Sequence, residues 1–513
     1  MARSVRVSCL VLVGLSLLRC ATAAQAHYDG MCGTTRAHRD GIRQKTMRAL
    51  GKIGYSERMV GTTLYSQSFN PDSFDIRFMW SASGKESLFY QLEMSDTVLW
   101  LGCNPPMVDT DGPMYYGFTN YLYLFNASEA TGAVKIPGAS TGDTLNQLSL
   151  KHTKDGAPNR IWGTTSAIIW TADSTSAKDV VSALEAADLP ASAINVQVVP
   201  SLLRNVKLGL GPASSVFVTG GRIALWKPSP LRSAFFAYRE PIVILSAKDR
   251  PVALDASPTP ALLARGHLPT EKERLSNLQK RMVNTAKRKA ILEGWQLVEE
   301  VDMQPLTVDV NGTYVYINGT KCIEDPTKSS FCFLDTQDAA YFQLYKPFDF
   351  YMHFGMGQMA YVVGIDHSRA GYATYSSVAW QLPKGGPSLT NLAYGGSGHR
   401  FAPEVTGSEN SFIVQLKQAC ANETYPPCLP VSEPGHLISR AYLNPATMTG
   451  PDPFQLVPAT LLRFRPRAQQ LNICLVLSMC CVGCVLVSLV LWALRRKESI
   501  MSSSDGECDE DVE

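Results

Sequence analysis

The chain has 513 residues, 45% of them hydrophobic and 18% charged, with 19 Phe, 20 Tyr and 8 Trp. That apolar content can fill two to four domain cores and excludes a wholly disordered chain. A formal net charge of +2 lacks the basic excess of a nucleic-acid binder, so no nucleic-acid partner is expected.

Residues 1–26 combine a basic start, the apolar run Cys9 to Leu18 and the small residues Ala21 to Ala26, the pattern of a secretory signal peptide. Cleavage fits after Ala23 or after Ala26. Residues 471–494 carry no charge, and at roughly 1.5 Å per residue a helix over them outspans a hydrocarbon core of about 30 Å. Arg495, Arg496 and Lys497 follow directly, so the run predicts one C-terminal transmembrane helix of a type I membrane protein. The remaining stretch, 495–513, has three basic and seven acidic residues and reads as an acidic cytoplasmic tail. Ser502, Ser503 and Ser504 would let phosphorylation tune it for a sorting adaptor. The expected location is the plasma membrane or another secretory-pathway membrane, with the N-terminus extracellular or lumenal.

Six cysteines lie between these ends: Cys32, Cys103, Cys322, Cys332, Cys420 and Cys428. An even number in an oxidising compartment predicts disulfides, with many pairings open. Short loops favour Cys322–Cys332 and Cys420–Cys428, which leaves Cys32–Cys103. Sequons for N-glycosylation stand at Asn126, Asn311, Asn318 and Asn422.

The expected fold is mostly β with an α+β middle segment, as disulfide-bonded extracellular β-rich modules ahead of the transmembrane helix. Residues 27–155 predict a β-sandwich-like module, from aromatic strands at Ile76–Trp80, Ser87–Leu92, Thr97–Leu101 and Tyr115–Phe125. The Trp80 and Trp100 spacing resembles that of a DOMON β-sandwich, without a haem-ligand pattern beside it. Residues 156–254 read as α+β: a strand at Ala167–Trp170, a helix at Ala177–Ala187 and a strand at Ile194–Val199. A hairpin turning at Gly220-Gly221 follows, then a strand at Pro241–Leu245. Residues 255–300 hold a proline-bearing connector and an amphipathic helix. Thr270 and Glu273 form its capping box, and Leu275, Leu278, Met282, Ala286 and Ala290 its apolar stripe. Residues 301–466 return to strands as a second β-rich module, with a last strand near Leu456.

Several patterns bear on chemistry. Met352, His353, Met356 and Met359 gather soft ligands suited to copper, although Met is also a common core filler. His27, as a mature N-terminus, would offer an amine and an imidazole to copper. Asp366, His367 and Ser368 are contiguous, which argues against a triad because neighbours on a strand or turn point apart. Asp366 and His367 are instead expected to shape a turn or a polar binding site, with His399 in a glycine-rich loop that could approach a ligand. Gly138-Ala139-Ser140-Thr141-Gly142 has the letters of a nucleophile elbow without its strand and helix. No cofactor is expected, and copper is the alternative.

The leading expectation is a single-pass cell-surface glycoprotein whose ectodomain binds an extracellular protein or glycan ligand, more a binder than an enzyme. One alternative is a membrane-tethered extracellular metal-dependent enzyme using His353 or His367. Another is a viral envelope glycoprotein used in attachment or in entering a cell.

Overall fold

A computed structural model describes residues 32–467 apart from 33, 68–72, 83–84, 107–112, 125–138, 158–159, 251–252, 260, 306–322, 325–336, 345–356, 383–385, 421–424 and 432. The expected signal peptide, transmembrane helix and tail lie outside the described residues. So do Cys322, Cys332, the four sequon asparagines, His27, Met352, His353, Met356 and the strand expected at 313–317. Among the described residues no helix is long and apolar enough to cross a membrane. The fold is mostly β, 38% strand against 21% helix, in curled sheets.

The first part holds α1 (Arg36–Gly51), β1 (Ser56–Gln67), β2 (Ser73–Ala82), β3 (Lys85–Ser87), β4 (Asp96–Cys103), β5 (Tyr115–Leu124), β6 (Ala139–Ser140) and β7 (Leu145–Asn146). It continues with β8 (Thr165–Thr171), α2 (Ser174–Ala186), β9 (Ile194–Val198), β10 (Val216–Ala224), α3 (Pro230–Ala237) and β11 (Pro241–Ser246). All eleven strands join one sheet in the order β6-β5-β10-β2-β1-β11-β4-β8-β9, with β3 on β2 and β7 on β5. The boundary expected at 155/156 therefore runs through a continuous sheet, because β10 and β11 insert among the earlier strands while β8 and β9 extend its edge beyond β4. The unit β8-α2-β9 is the one parallel crossover of this sheet among the described residues, as the strand–helix–strand reading predicts.

Alternation along β4 explains how both faces are used. Leu99 and Leu101 meet Ile42 and Leu50 of α1 and Val180 and Leu184 of α2. Val98 and Trp100 turn to the other face, an aromatic core with Phe78, Trp80, Phe118 and Trp170. A strand buried on both faces reads as the unbroken apolar run found here. β4 and β5 are five places apart in the sheet. At about 4.8 Å per place that is roughly 24 Å across a flat sheet. Yet the Trp100 and Phe118 rings lie 4.8 Å apart. The sheet curls until its inner face closes on itself.

The hairpin expected at Gly220-Gly221 is absent, because β10 runs straight through both glycines between β5 and β2. A Cβ on Gly221 would lie 2.5 Å from the Gly117 carbonyl oxygen. These glycines admit close strand approach rather than a turn.

The second part begins with α4 (Glu271–Leu292), then β12 (Trp295–Asp302), β13 (Gln304–Pro305), β14 (Ala339–Gln343), β15 (Met359–Ile365), β16 (Tyr375–Gln381) and β17 (Ser388–Thr390). The short helices α5 (Asn391–Tyr394) and α6 (Ser397–Phe401) precede β18 (Ser411–Lys417), β19 (Cys428–Pro430), β20 (His436–Tyr442) and β21 (Thr460–Pro466). Two five-stranded sheets form, β12-β21-β15-β18-β19 and β13-β14-β20-β16-β17. Val362, Phe412, Val414 and Leu461 of the first pack against Phe342, Val378, Trp380 and Leu437 of the second. The outer face of the first sheet takes α4, where Leu278, Met282, Ala286 and Ala290 meet Tyr361, Val363, Ile413 and Phe464. Both bonds of the capping box between Thr270 and Glu273 are present. The last strand is β21, with Leu456 in the preceding loop as a buried core residue.

Two disulfides lie in the described residues, Cys32–Cys103 and Cys420–Cys428. The first ties the segment ahead of α1 to the end of β4. The second clips β19 beside β18, its parallel neighbour.

Candidate functional site

The turn after β15 places Asp366 and His367 out of solvent. Asp366 Oδ1 accepts from the Ser368 hydroxyl at 2.6 Å and from the backbone N–H groups of Ser368 and Arg369. Its other oxygen faces Arg369 Nε at 3.6 Å. His367 Nδ1 lies 2.9 Å from both carboxylate oxygens of Glu271, the fully buried first residue of α4. Glu271 also accepts the Val457 N–H, and an acid in the first helical turn suits the helix dipole. Burial alone would lower the His367 pKa, but the Glu271 carboxylate outweighs it and, with Asp366, holds it above the ordinary histidine value. Asp366 and Ser368 thus shape the turn, and His367 ties that turn to α4.

His399 sits on α6 with Nδ1 3.0 Å from the Ser408 hydroxyl, and it is exposed. The loops come together: Asp366 N–H donates to the Asn410 carbonyl, and the Arg369 guanidinium lies against Gly396. A Cβ on Gly398 would meet Ser411 Oγ at 2.0 Å. This glycine serves close packing of α6 on β18. Arg369, His399 and Arg400 are exposed at this end, Arg400 lying over the Tyr425 ring at 4.2 Å. Arg281 of α4 reaches the same end, donating to the Thr406 carbonyl. This end thus gathers arginines from three separate chain segments, with Glu404 and Glu409 exposed in the loop between α6 and β18.

A second polar cluster, invisible to motif reading, joins the two parts of the chain. Tyr115 of β5 donates its hydroxyl to Asp338 at 2.9 Å, and the Asn146 side-chain amide donates to the other Asp338 oxygen at 2.9 Å. Arg222 of β10 donates to the Tyr442 hydroxyl at 3.0 Å and the Tyr341 hydroxyl at 3.3 Å, and faces Asp75 at 3.6 Å. Tyr375 stacks on Tyr442 at 4.6 Å with rings nearly parallel. Arg265 of the connector donates to the carbonyls of Ala339 and Gly450. Burial pushes the Asp338 carboxyl up to about 7 although its Tyr115 and Asn146 bonds work the other way. Sequence offered only isolated aromatics here, since the partners come from positions more than sixty residues apart.

Ser140 is buried in β6 and its hydroxyl accepts from Gln337, which is architecture rather than a nucleophile elbow. Among the described residues no group of three or more His, Cys, Asp or Glu is placed to hold a metal ion.

No family model and no curated protein matches the chain. Among solved structures, the crystal structure of the VPA0106 protein from Vibrio parahaemolyticus is similar over 86% of this chain and 98% of its own, at 10% identity and a TM-score of 0.34. A biofilm-associated protein BSP domain is similar over 76% of this chain and 51% of its own, at 10% identity and a TM-score of 0.14. Likenesses this low carry no argument about fold or function.

Proposed function

We propose that the chain is a single-pass type I cell-surface glycoprotein whose ectodomain binds an extracellular protein or glycan ligand through the loop end of its second part. Disulfide-bonded β-rich modules stand outside the membrane, residues 471–494 anchor them, and the tail faces the cytoplasm. One observation carries the binding reading: Arg369, on the turn after β15, lies against Gly396 at the start of α6, and His399 and Arg400 of α6 are exposed at the same end. Asp366 holds Arg369, and the buried His367–Glu271 pair fixes the turn that presents it. Such a face suits a ligand bearing carboxylate or sulfate groups, because guanidinium groups pair with them in bidentate fashion.

The test displays the full chain on cells and titrates it with a sulfated glycosaminoglycan and with a neutral glycan of equal length. The sulfated chain binds, and Arg369→Glu with Arg400→Glu weakens it by about tenfold or more, a change of roughly 1.4 kcal/mol. Equal binding of both glycans, or binding untouched by the double variant, would remove this face from the account.

A further inference from the structure

Resting on the anchored reading above, we infer that the end of the second part nearest residue 467 is a lipid-contacting tip, which seats on the phospholipid bilayer holding residues 471–494. α4 ends there with Leu292 86% exposed and Ile291 39% exposed, the former the most exposed large apolar side chain among the described residues. A single exposed leucine needs no explanation by itself. Its position does. The Arg467 N–H donates to the Gly294 carbonyl at 3.0 Å, and Trp295 pairs with Pro466 at the first register of β12 with β21. The last described residue is thus bonded to the loop that follows Leu292.

Only Ala468, Gln469 and Gln470 separate Arg467 from Leu471, where the apolar run begins. Fully extended, the four steps from Arg467 to Leu471 span about 14 Å, which keeps the tip within or just above a headgroup layer about 5–7 Å thick. The half-buried Trp295 is a residue type enriched at that depth. Arg288, Arg465 and Arg467 are exposed around the tip, with Glu293 exposed beside Leu292 and Glu300 paired with Lys287. Apolar side chains ringed by guanidinium groups match an interface where acyl chains begin and phosphates lie just above. Contact there would fix the tilt of the ectodomain and hold the loop surface at a set orientation to the membrane.

The experiment reconstitutes the full chain in phosphatidylcholine vesicles containing a diazirine-bearing phosphatidylcholine reactive near the glycerol end of its acyl chain. Adducts are mapped by peptide mass spectrometry after illumination. Adducts are expected within 471–494 and also within 288–297, the latter falling about tenfold in Leu292→Glu while the former persist. Leu292 is exposed, so the variant folds, which an unchanged thermal midpoint verifies. Adducts within 471–494 but none within 288–297 would overturn the tip while leaving the anchor intact. Adducts in neither segment would overturn the anchor itself, and with it the tip.

Discussion

Asp338 and His367 are buried groups whose protonation is coupled to folding, and both act in the same direction. The Asp338 carboxyl titrates near 7 in the folded chain against 3.8 for a free side chain, because burial outweighs the help of Tyr115 and Asn146. The folded state therefore holds a proton that the unfolded state has lost. This stability is fully present below about pH 4 and is lost as pH rises through 7. At roughly 1.4 kcal/mol for each pH unit it amounts to about 4 kcal/mol, with Arg265 and Asp143 as the other charges facing the group. Denaturant unfolding from pH 4 to pH 8 should show this falling slope. Asp338→Asn, which keeps an acceptor for Tyr115, should flatten it; an unchanged slope would assign it elsewhere. His367, also held high, contributes stability present below its ordinary value of 6.5 and lost as pH climbs through its folded value. Glu271→Gln leaves the imidazole without its counter-charge. Breaking a buried pair from one side costs about 3 kcal/mol or more. A urea-midpoint loss below about 0.5 kcal/mol, the level of an exposed pair, would mean the contact is not structural.

At the scale of elements, the legible features were those with local causes. The α4 helix follows from a capping box and an apolar stripe at helical spacing, and β4 from an unbroken apolar run. A strand stands where a hairpin is expected at Gly220-Gly221, because two adjacent glycines mark either a turn or a crowded strand, and only the Gly117 carbonyl across the ladder decides between them. Gly221→Val should therefore destabilise the sheet by more than the roughly 1 kcal/mol scale of strand propensity. A neutral result on thermal unfolding would contradict the close approach. The disulfides differ in reach. Cys32–Cys103 closes 71 residues and Cys420–Cys428 closes 8. The chain-entropy relation assigns about 4 kcal/mol to the first and about 2.5 kcal/mol to the second. Replacing each pair by serines and comparing urea midpoints tests that order, which a larger loss from Cys420 and Cys428 would reverse.

Across the whole molecule, the connector is what the sequence hid best. Residues 255–269 read as a proline-broken linker, yet they bond to both parts: Asp255 to Asp173 and Ser174, and Arg265 to Ala339 and Gly450. Together with Tyr115, Asp338, Arg222 and Tyr442 they join the curled sheet to the paired sheets through a polar seam. Binary patterning cannot report such a seam, because each member looks like an ordinary polar or aromatic strand residue in isolation. The same limit applies to the loop surface: Asp366, His367 and His399 stood out as residue types, while Glu271, Arg369 and Arg400 became relevant only through contact. Protease protection decides whether the ectodomain is anchored and faces outward. Sealed microsomes carrying the newly made full chain with a C-terminal epitope are treated with protease from the cytoplasmic side. The predicted result is loss of the epitope with 27–466 intact and shortened further by endoglycosidase. Digestion of that region while the membrane remains sealed would contradict the account.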